Sequence, residues 1–278
     1  MNCAGYTGVA QRLIRPIWML LPESCRALIM GLRRRFFRFF GTYQASDSET
    51  YWRARASCPG QQSVLWLNEE YNMLYRERQR EILRPFVENL DSGAHLLDLG
   101  CGIGIVTRML RDLNPEVWID AVDFQEMVAI AEKNSLPKVR FIASPAQNYE
   151  SDVLYELILS SGCLAAIKEP SRFLSALSRC AALCKKGGTV LMVDPFHSWR
   201  YLARAPFSST DVILLMSDYG FRLSYKSGVL FWPYRDLLAN SSLTGDRLRS
   251  HFDTGERLLG VLGRHLWADY KILAFIKS

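Results

Sequence analysis

From residue 95 to residue 195 the chain alternates short apolar runs with amphipathic ones, and that alternation limits its fold more than any other feature. "HLLDL", "VWIDAVD", "VRFIA", "YELILSS" and "TVLMVD" are strand-length and mostly apolar; "IVTRMLRDL", "QEMVAIAEKN" and "PSRFLSALSRCAALCKK" between them repeat at helical spacing. Strands that read as nearly continuous apolar runs are buried on both faces, so the pattern predicts a mostly parallel α/β sheet with helices on either side. Ligands of such sheets sit at the carboxyl ends of the strands. Further on, "STDVILLMSDYG" predicts a helix closed by Gly220, and "FRLSYKSG" and "LWADYKILAFIK" predict two strands in antiparallel pairing. Residues 229–265, of mixed character, are expected to form an insertion that covers the acceptor side.

The N-terminal part is different. Residues 1–40 hold seven Arg and one acid, which accounts for the whole net charge of +6; bases and acids balance in the remainder. No nucleic-acid partner is therefore expected from charge. Pro16 and Pro22 interrupt the apolar run, no stretch is long enough to span a membrane, and no secretory signal is present. From Ser24 a helix is expected, with Leu28, Ile29, Leu32, Phe36, Phe39 and Phe40 on one arc and Arg26, Arg33, Arg34 and Arg38 on the other. Contact with an anionic membrane surface and packing on the domain are the two leading readings; a mitochondrial presequence is a weaker third, since the segment is Arg-rich and acid-poor but has few Ser. Residues 1–45 are taken as this extension and 46–278 as the domain, with 41–60 read as a polar linker and 61–90 as helical. The seven cysteines show no repeated spacing, which favours a reducing, cytoplasmic setting, and no metal site is expected.

The stretch "LLDLGCGIG" follows the first strand. Gly100, Gly102 and Gly104 let backbone approach a ligand closely. A dinucleotide loop wants a third glycine at position 105, where this chain has Ile105, and a G-K-[ST] sequence for a triphosphate is absent. Asp98, two residues before Gly100, would repel a pyrophosphate and favour a cation. Asp123, at the end of the next strand, is placed to accept hydrogen bonds from the two hydroxyls of a ribose. S-adenosylmethionine combines a nucleoside with a sulfonium and an ammonium and has no phosphate.

Taken together, "LLDLGCGIGIVTRML", "DAVDFQEMVAIAEKN" and the stretch from "YELILSS" through Lys185-Lys186-Gly187-Gly188 to "TVLMVDP" resemble the ordered motifs of class I S-adenosylmethionine-dependent methyltransferases over roughly residues 67 to 200. The resemblance implies a Rossmann-like sheet of seven strands with a terminal antiparallel strand, and S-adenosyl-L-methionine as cofactor. It implies that Asp98, Gly100, Cys101, Gly102 and Gly104 line the methionine and ribose part, that Asp123 holds the ribose with Phe124 beside the adenine, and that Ser144, Pro145, Ala146 and Gln147 border the adenine. Ser160 and Ser161 would face the methionine moiety, and Tyr71 and Tyr75 would lid the cofactor.

The familiar histidine pair after the fourth strand is replaced by Leu164-Ala165-Ala166-Ile167, and the Asn-Pro-Pro-Tyr pattern of nucleobase enzymes is absent. The acceptor is expected to be a small molecule, lipid-linked or glycan in character, with O-methylation preferred. His197, after the fifth strand, is the candidate base; Arg200, Tyr201, Trp232 and Tyr234 are candidate acceptor contacts. A protein or RNA methyltransferase and a catalytically silent binding subunit are the competing readings, and the oligomeric state is left open.

Overall fold

A computed structural model describes residues 48–197 and 205–278; the expected N-terminal helix, Arg200 and Tyr201 lie outside them. A first helix, α1 (Ser48–Arg55), and a short 3-10 turn at Gly60–Ser63 lead into α2 (Glu69–Val87). The helix α1 falls where a linker was expected. Five of its eight residues are polar and Tyr51, Trp52 and Ala54 make no apolar stripe at helical spacing; Arg53 pairs with Glu49 one turn away. In α2, Asn68 caps the first turn by accepting from the Tyr71 amide at 3.0 Å. Tyr71, Leu74, Tyr75, Gln79, Leu83 and Val87 recur at spacings of three and four and are all buried.

The sheet follows as β1 (His95–Leu99), α3 (Ile105–Leu113), β2 (Trp118–Asp123), α4 (Gln125–Ala131), β3 (Val139–Ala143), β4 (Tyr155–Ser161), α5 (Pro170–Leu183), β5 (Cys184–Asp194), α6 (Ser209–Asp218), β6 (Phe221–Phe231), α7 (Trp232–Leu238), α8 (Gly245–Leu262), α9 (Arg264–Trp267) and β7 (Ala268–Lys277). Its order is β3-β2-β1-β4-β5-β7-β6. β1 to β5 run parallel; β7 inserts antiparallel between β5 and β6. The predicted pairing of the last two strands is present, from Phe221↔Lys277 to Phe231↔Ala268.

Two apolar layers sandwich the sheet. One joins α2 and α3 to residues such as Leu96, Leu157, Leu191 and Ile272; the other joins α5 and α6 to Leu97, Ile158, Val190 and Leu273. Neighbouring residues of β1 and β5 thus feed opposite layers, the reason these strands read as continuous apolar runs. The region of mixed character resolves into α7, α8 and α9. α8 lies against α2, with Arg249 paired to Glu77 and Phe252 packed edge-on to Tyr71.

Candidate active site

The turn after β1 is held by backbone. The amides of Gly100 and Cys101 both donate to the Val122 carbonyl, at 2.8 and 3.0 Å. Gly100, Gly102 and Gly104 all have left-handed φ, of 81°, 56° and 82°. Two of them are also filled positions: a Cβ on Gly100 would stand 2.3 Å from the Cys163 Cβ, and one on Gly102 would stand 2.7 Å from a Val64 methyl. The chain thus passes close over the loop on one side and the β4 end closes it on the other. Cys101 is buried and burial pushes its thiol well up, so it is a lining group and not a nucleophile.

Asp123 meets this loop from the end of β2. One carboxylate oxygen accepts from the Gly102 amide and the other from the Phe124 amide, both at 2.7 Å. Each oxygen keeps acceptor capacity for a diol. Asp98 is buried and accepts from the Thr107 hydroxyl at 2.7 Å. Burial pushes both carboxyls up to about 6, with Asp123 adding to the shift of Asp98. A cation between them would relieve that cost.

Arg76 on α2 is the group that the sequence reading did not single out. It donates to Gln61 at 3.3 Å and to Gln79 at 2.5 Å. Among the described residues it has no carboxylate within ion-pair distance, although it feels Asp98. A desolvated guanidinium with only neutral amides beside it suits a ligand carboxylate. Its sequence signal is slight, one Arg among four on an exposed-looking helix; Arg78, Arg80 and Arg84 each pair with an acid, and Arg76 does not. Gln79 also donates to the Ser161 hydroxyl at 2.6 Å. The Tyr75 hydroxyl lies near Ser161 without a hydrogen bond of good geometry, buried against Trp66 and Tyr270. Ser161 faces this space, whereas Ser160 turns away and donates to Asp194 at 2.7 Å. Tyr71 sits deeper, packed edge-on to Trp66 and Phe252.

At the nucleoside end, Ser144 to Gln147 follow β3, the Ser144 amide donating to the Asp123 carbonyl at 2.9 Å. Arg53 of α1 lies 4.6 Å above the Phe124 ring and pairs with Glu126 at 2.7 Å. Glu49 of the same helix reaches Arg172 on α5 at 3.3 Å. The helix α1 therefore bridges α4 and α5 beside Phe124.

His197 is buried, with Nε2 3.1 Å from an Asp269 carboxylate oxygen. Arg235 joins the same carboxylate at 2.6 Å and Asp236 at 2.8 Å. Asp269 was invisible in sequence, 72 residues from its partner, at the start of a strand. Trp232 stacks parallel on Trp267 at 6.5 Å, and Tyr234 packs on Phe231 and His251. Cys101, Cys163, Cys180 and Cys184 are free thiols, while Cys58 is disulfide-bonded. Among the described residues no His, Cys, Asp or Glu cluster could hold a metal ion.

The sheet order with its reversed β7, and a glycine turn facing a strand-end acid, define a Rossmann-like methyltransferase fold. A family model described as a methyltransferase domain matches residues 71–237, and the chain belongs to that family. Trans-aconitate 2-methyltransferase of Acidovorax sp. (strain JS42) is 28% identical over 127 residues, 44% of this chain and 48% of that protein. Malonyl-acyl-carrier-protein O-methyltransferase 1 of Ilyobacter polytropus is 28% identical over 161 residues, 57% of this chain and 59% of that protein. The chain spans about half the length of the curated relatives it matches. The N-methyltransferase NodS of Bradyrhizobium japonicum WM9, solved with S-adenosyl-L-homocysteine, superimposes with a TM-score of 0.56 over 84% of this chain and 100% of its own; at 10% identity this likeness concerns the fold.

Proposed function

We propose that this chain transfers a methyl group from S-adenosylmethionine to an oxygen of a small-molecule acceptor, and that the acceptor is an acid. The observation that carries the cofactor is the Asp123 carboxylate held by two backbone amides beside the glycine turn. The residues present fit the group: glycines whose Cβ positions are already occupied, two desolvated carboxyls for a cation, and Arg76 for its carboxylate. Relatives named for trans-aconitate and malonyl acceptors support an oxygen of an acid.

Bound there, the cofactor would supply a methyl carbon activated by its sulfonium. Transfer would need an acceptor oxygen in line with that carbon, the sulfur leaving as a neutral thioether. The chain's part would be alignment: Asp123 and Phe124 would hold the nucleoside, Arg76 and Gln79 the amino-acid end, and Trp66, Tyr75 and Tyr270 would exclude water. A carboxylate acceptor arrives without a proton to remove. For a hydroxyl acceptor the proposed base is His197, whose Nε2 lies 3.1 Å from an Asp269 carboxylate oxygen. Trp232, Tyr234, Arg200 and Tyr201 remain the proposed acceptor contacts, and residues 229–265 the proposed cover of that pocket.

Calorimetry with S-adenosyl-L-homocysteine tests the reading. Asp123→Ala is expected to weaken binding at least about tenfold; absence of binding to the unaltered chain, or equal binding by the variant, overturns it. The Arg-rich residues 1–40 are proposed to bring the enzyme to an anionic membrane surface. Among the described residues no helix is long and apolar enough to cross a membrane, so this association would be peripheral.

A further inference from the structure

The outward face of α8 changes character along its length. Positions 247, 251, 254, 258 and 261 follow one another at spacings of three and four, so they share one side of the helix. The first three are Arg247, His251 and Thr254; the last two, with Leu262 beside them, are Leu258, Val261 and Leu262. The opposite side is the one that packs, through Leu248, Phe252, Gly255 and Leu259. The apolar end is left in solvent: Leu258 is 37% exposed, Val261 84%, Leu262 47%, and Leu266 on the following α9 55%. Four large apolar side chains within nine residues, on one tip, form a patch and not scattered exposure.

Charge frames the patch. Arg257 and Arg264 are exposed on the tip, and Lys226 on β6 is exposed next to His265. The acid within the tip, Glu256, is buried; it accepts from the Leu230 amide at 2.8 Å and pairs with the half-exposed Arg264 at 3.6 Å, whereas Arg257 and Lys226 have no carboxylate within ion-pair distance among the described residues. His265 sits near two lysines, and burial together with those charges lowers it to about 4, so it is neutral at pH 7 and adds no charge to the tip. The tip also has a defined place. α9 runs directly into β7, whose first residues pair with the end of β5 through Asp194↔Lys271. That is the carboxyl edge of the sheet, the edge that carries Asp269, Tyr270 and His197.

We propose that the tip formed by Leu258, Val261, Leu262 and Leu266 docks on an anionic lipid surface, with Arg257 and Lys226 against the headgroups. Apolar side chains ringed by cations match the boundary between headgroups and acyl chains of such a surface. The other candidate occupants carry the wrong charge. Residues 1–40 are themselves strongly cationic, and a second copy through the same face would bring Arg257 and Lys226 against their own kind. The docked orientation turns the acceptor edge of the domain to the membrane. This inference rests on residues apart from the cofactor site and from the N-terminal extension.

The test uses the full chain and vesicles of phosphatidylcholine with or without phosphatidylglycerol. Val261→Glu/Leu262→Glu, at two exposed positions, is expected to lower flotation with phosphatidylglycerol vesicles at least about tenfold, while S-adenosyl-L-homocysteine binding in solution is unchanged and confirms the fold. An environment-sensitive fluorophore on Val261→Cys is expected to shift to the blue with these vesicles and not with phosphatidylcholine alone. Unchanged flotation of the double variant together with an unshifted fluorophore assigns membrane contact to other residues and overturns the proposal. A blue shift without lipid overturns it as well: with a concentration-dependent mass the occupant is a second copy, and with a constant mass it is another segment of the chain.

Discussion

At the residue scale the site is governed by three desolvated carboxyls. Burial raises Asp98, Asp123 and Asp194 to about 6. A carboxyl raised in the folded state binds its proton more tightly there than in the unfolded chain. Its contribution to stability is therefore complete below the unfolded value near 4 and is lost as pH rises through about 6. Bound cation reverses this for Asp98 and Asp123, because it favours the ionised form. The stabilisation of the melting temperature by S-adenosylmethionine should therefore be larger at pH 7.5 than at pH 5.5; an equal increment at both would refute the cation role of these acids. Gly100 makes a second residue-scale prediction. With φ of 81° and Cys163 already in the Cβ position, Gly100→Ala adds left-handed strain to a clash. It should cost about 2–4 kcal/mol in urea unfolding and weaken cofactor binding.

At the element scale, α1 is the unexpected component. Its hold on α4 and α5 is made of partly exposed ion pairs, each worth little alone. The Arg53 position above Phe124 concentrates their effect at the proposed adenine edge. Arg53→Ala should speed dissociation of S-adenosyl-L-homocysteine several-fold in stopped-flow displacement, and raised salt should do the same to the unaltered chain. An unchanged off-rate would mean that α1 only decorates the surface. This helix also shows where sequence reading reached its limit. β1 to β5 and the glycine turn were visible because doubly buried strands leave continuous apolar runs and because backbone approach demands glycine. The helix α1 and Arg76 were hidden because their determinants are charges paired across 73 residues, or left unpaired by burial. Asp269 was hidden for a related reason. In sequence it is one acid at the start of an apolar strand, and only the antiparallel insertion of β7 carries it to His197. The serine pair at the end of β4 could not be divided in sequence into Ser160, which donates to Asp194, and Ser161, which accepts from Gln79, since neighbours on a strand end point opposite ways.

At the scale of the whole molecule, the last strand in sequence lies inside the sheet. β7 separates β5 from β6, its residues 272–275 are almost wholly buried, and Lys277 ties back to the Ala181 and Cys184 carbonyls at 2.7 and 2.8 Å. Removing residues 268–278 would leave β6 with no neighbouring strand and expose both apolar layers. The truncated chain should lack a cooperative thermal transition and near-ultraviolet dichroism; a cooperative melt would show that the layers close without β7.

The placement of that strand also orders events in time. While the polypeptide is still emerging from the ribosome, the strands that carry the glycine turn and Asp123 are made well before Asp269, which lies against His197. Because both apolar layers stay open until β7 is in place, the turn and the His197 cluster are expected to become ordered together and late, and a chain released early would have neither.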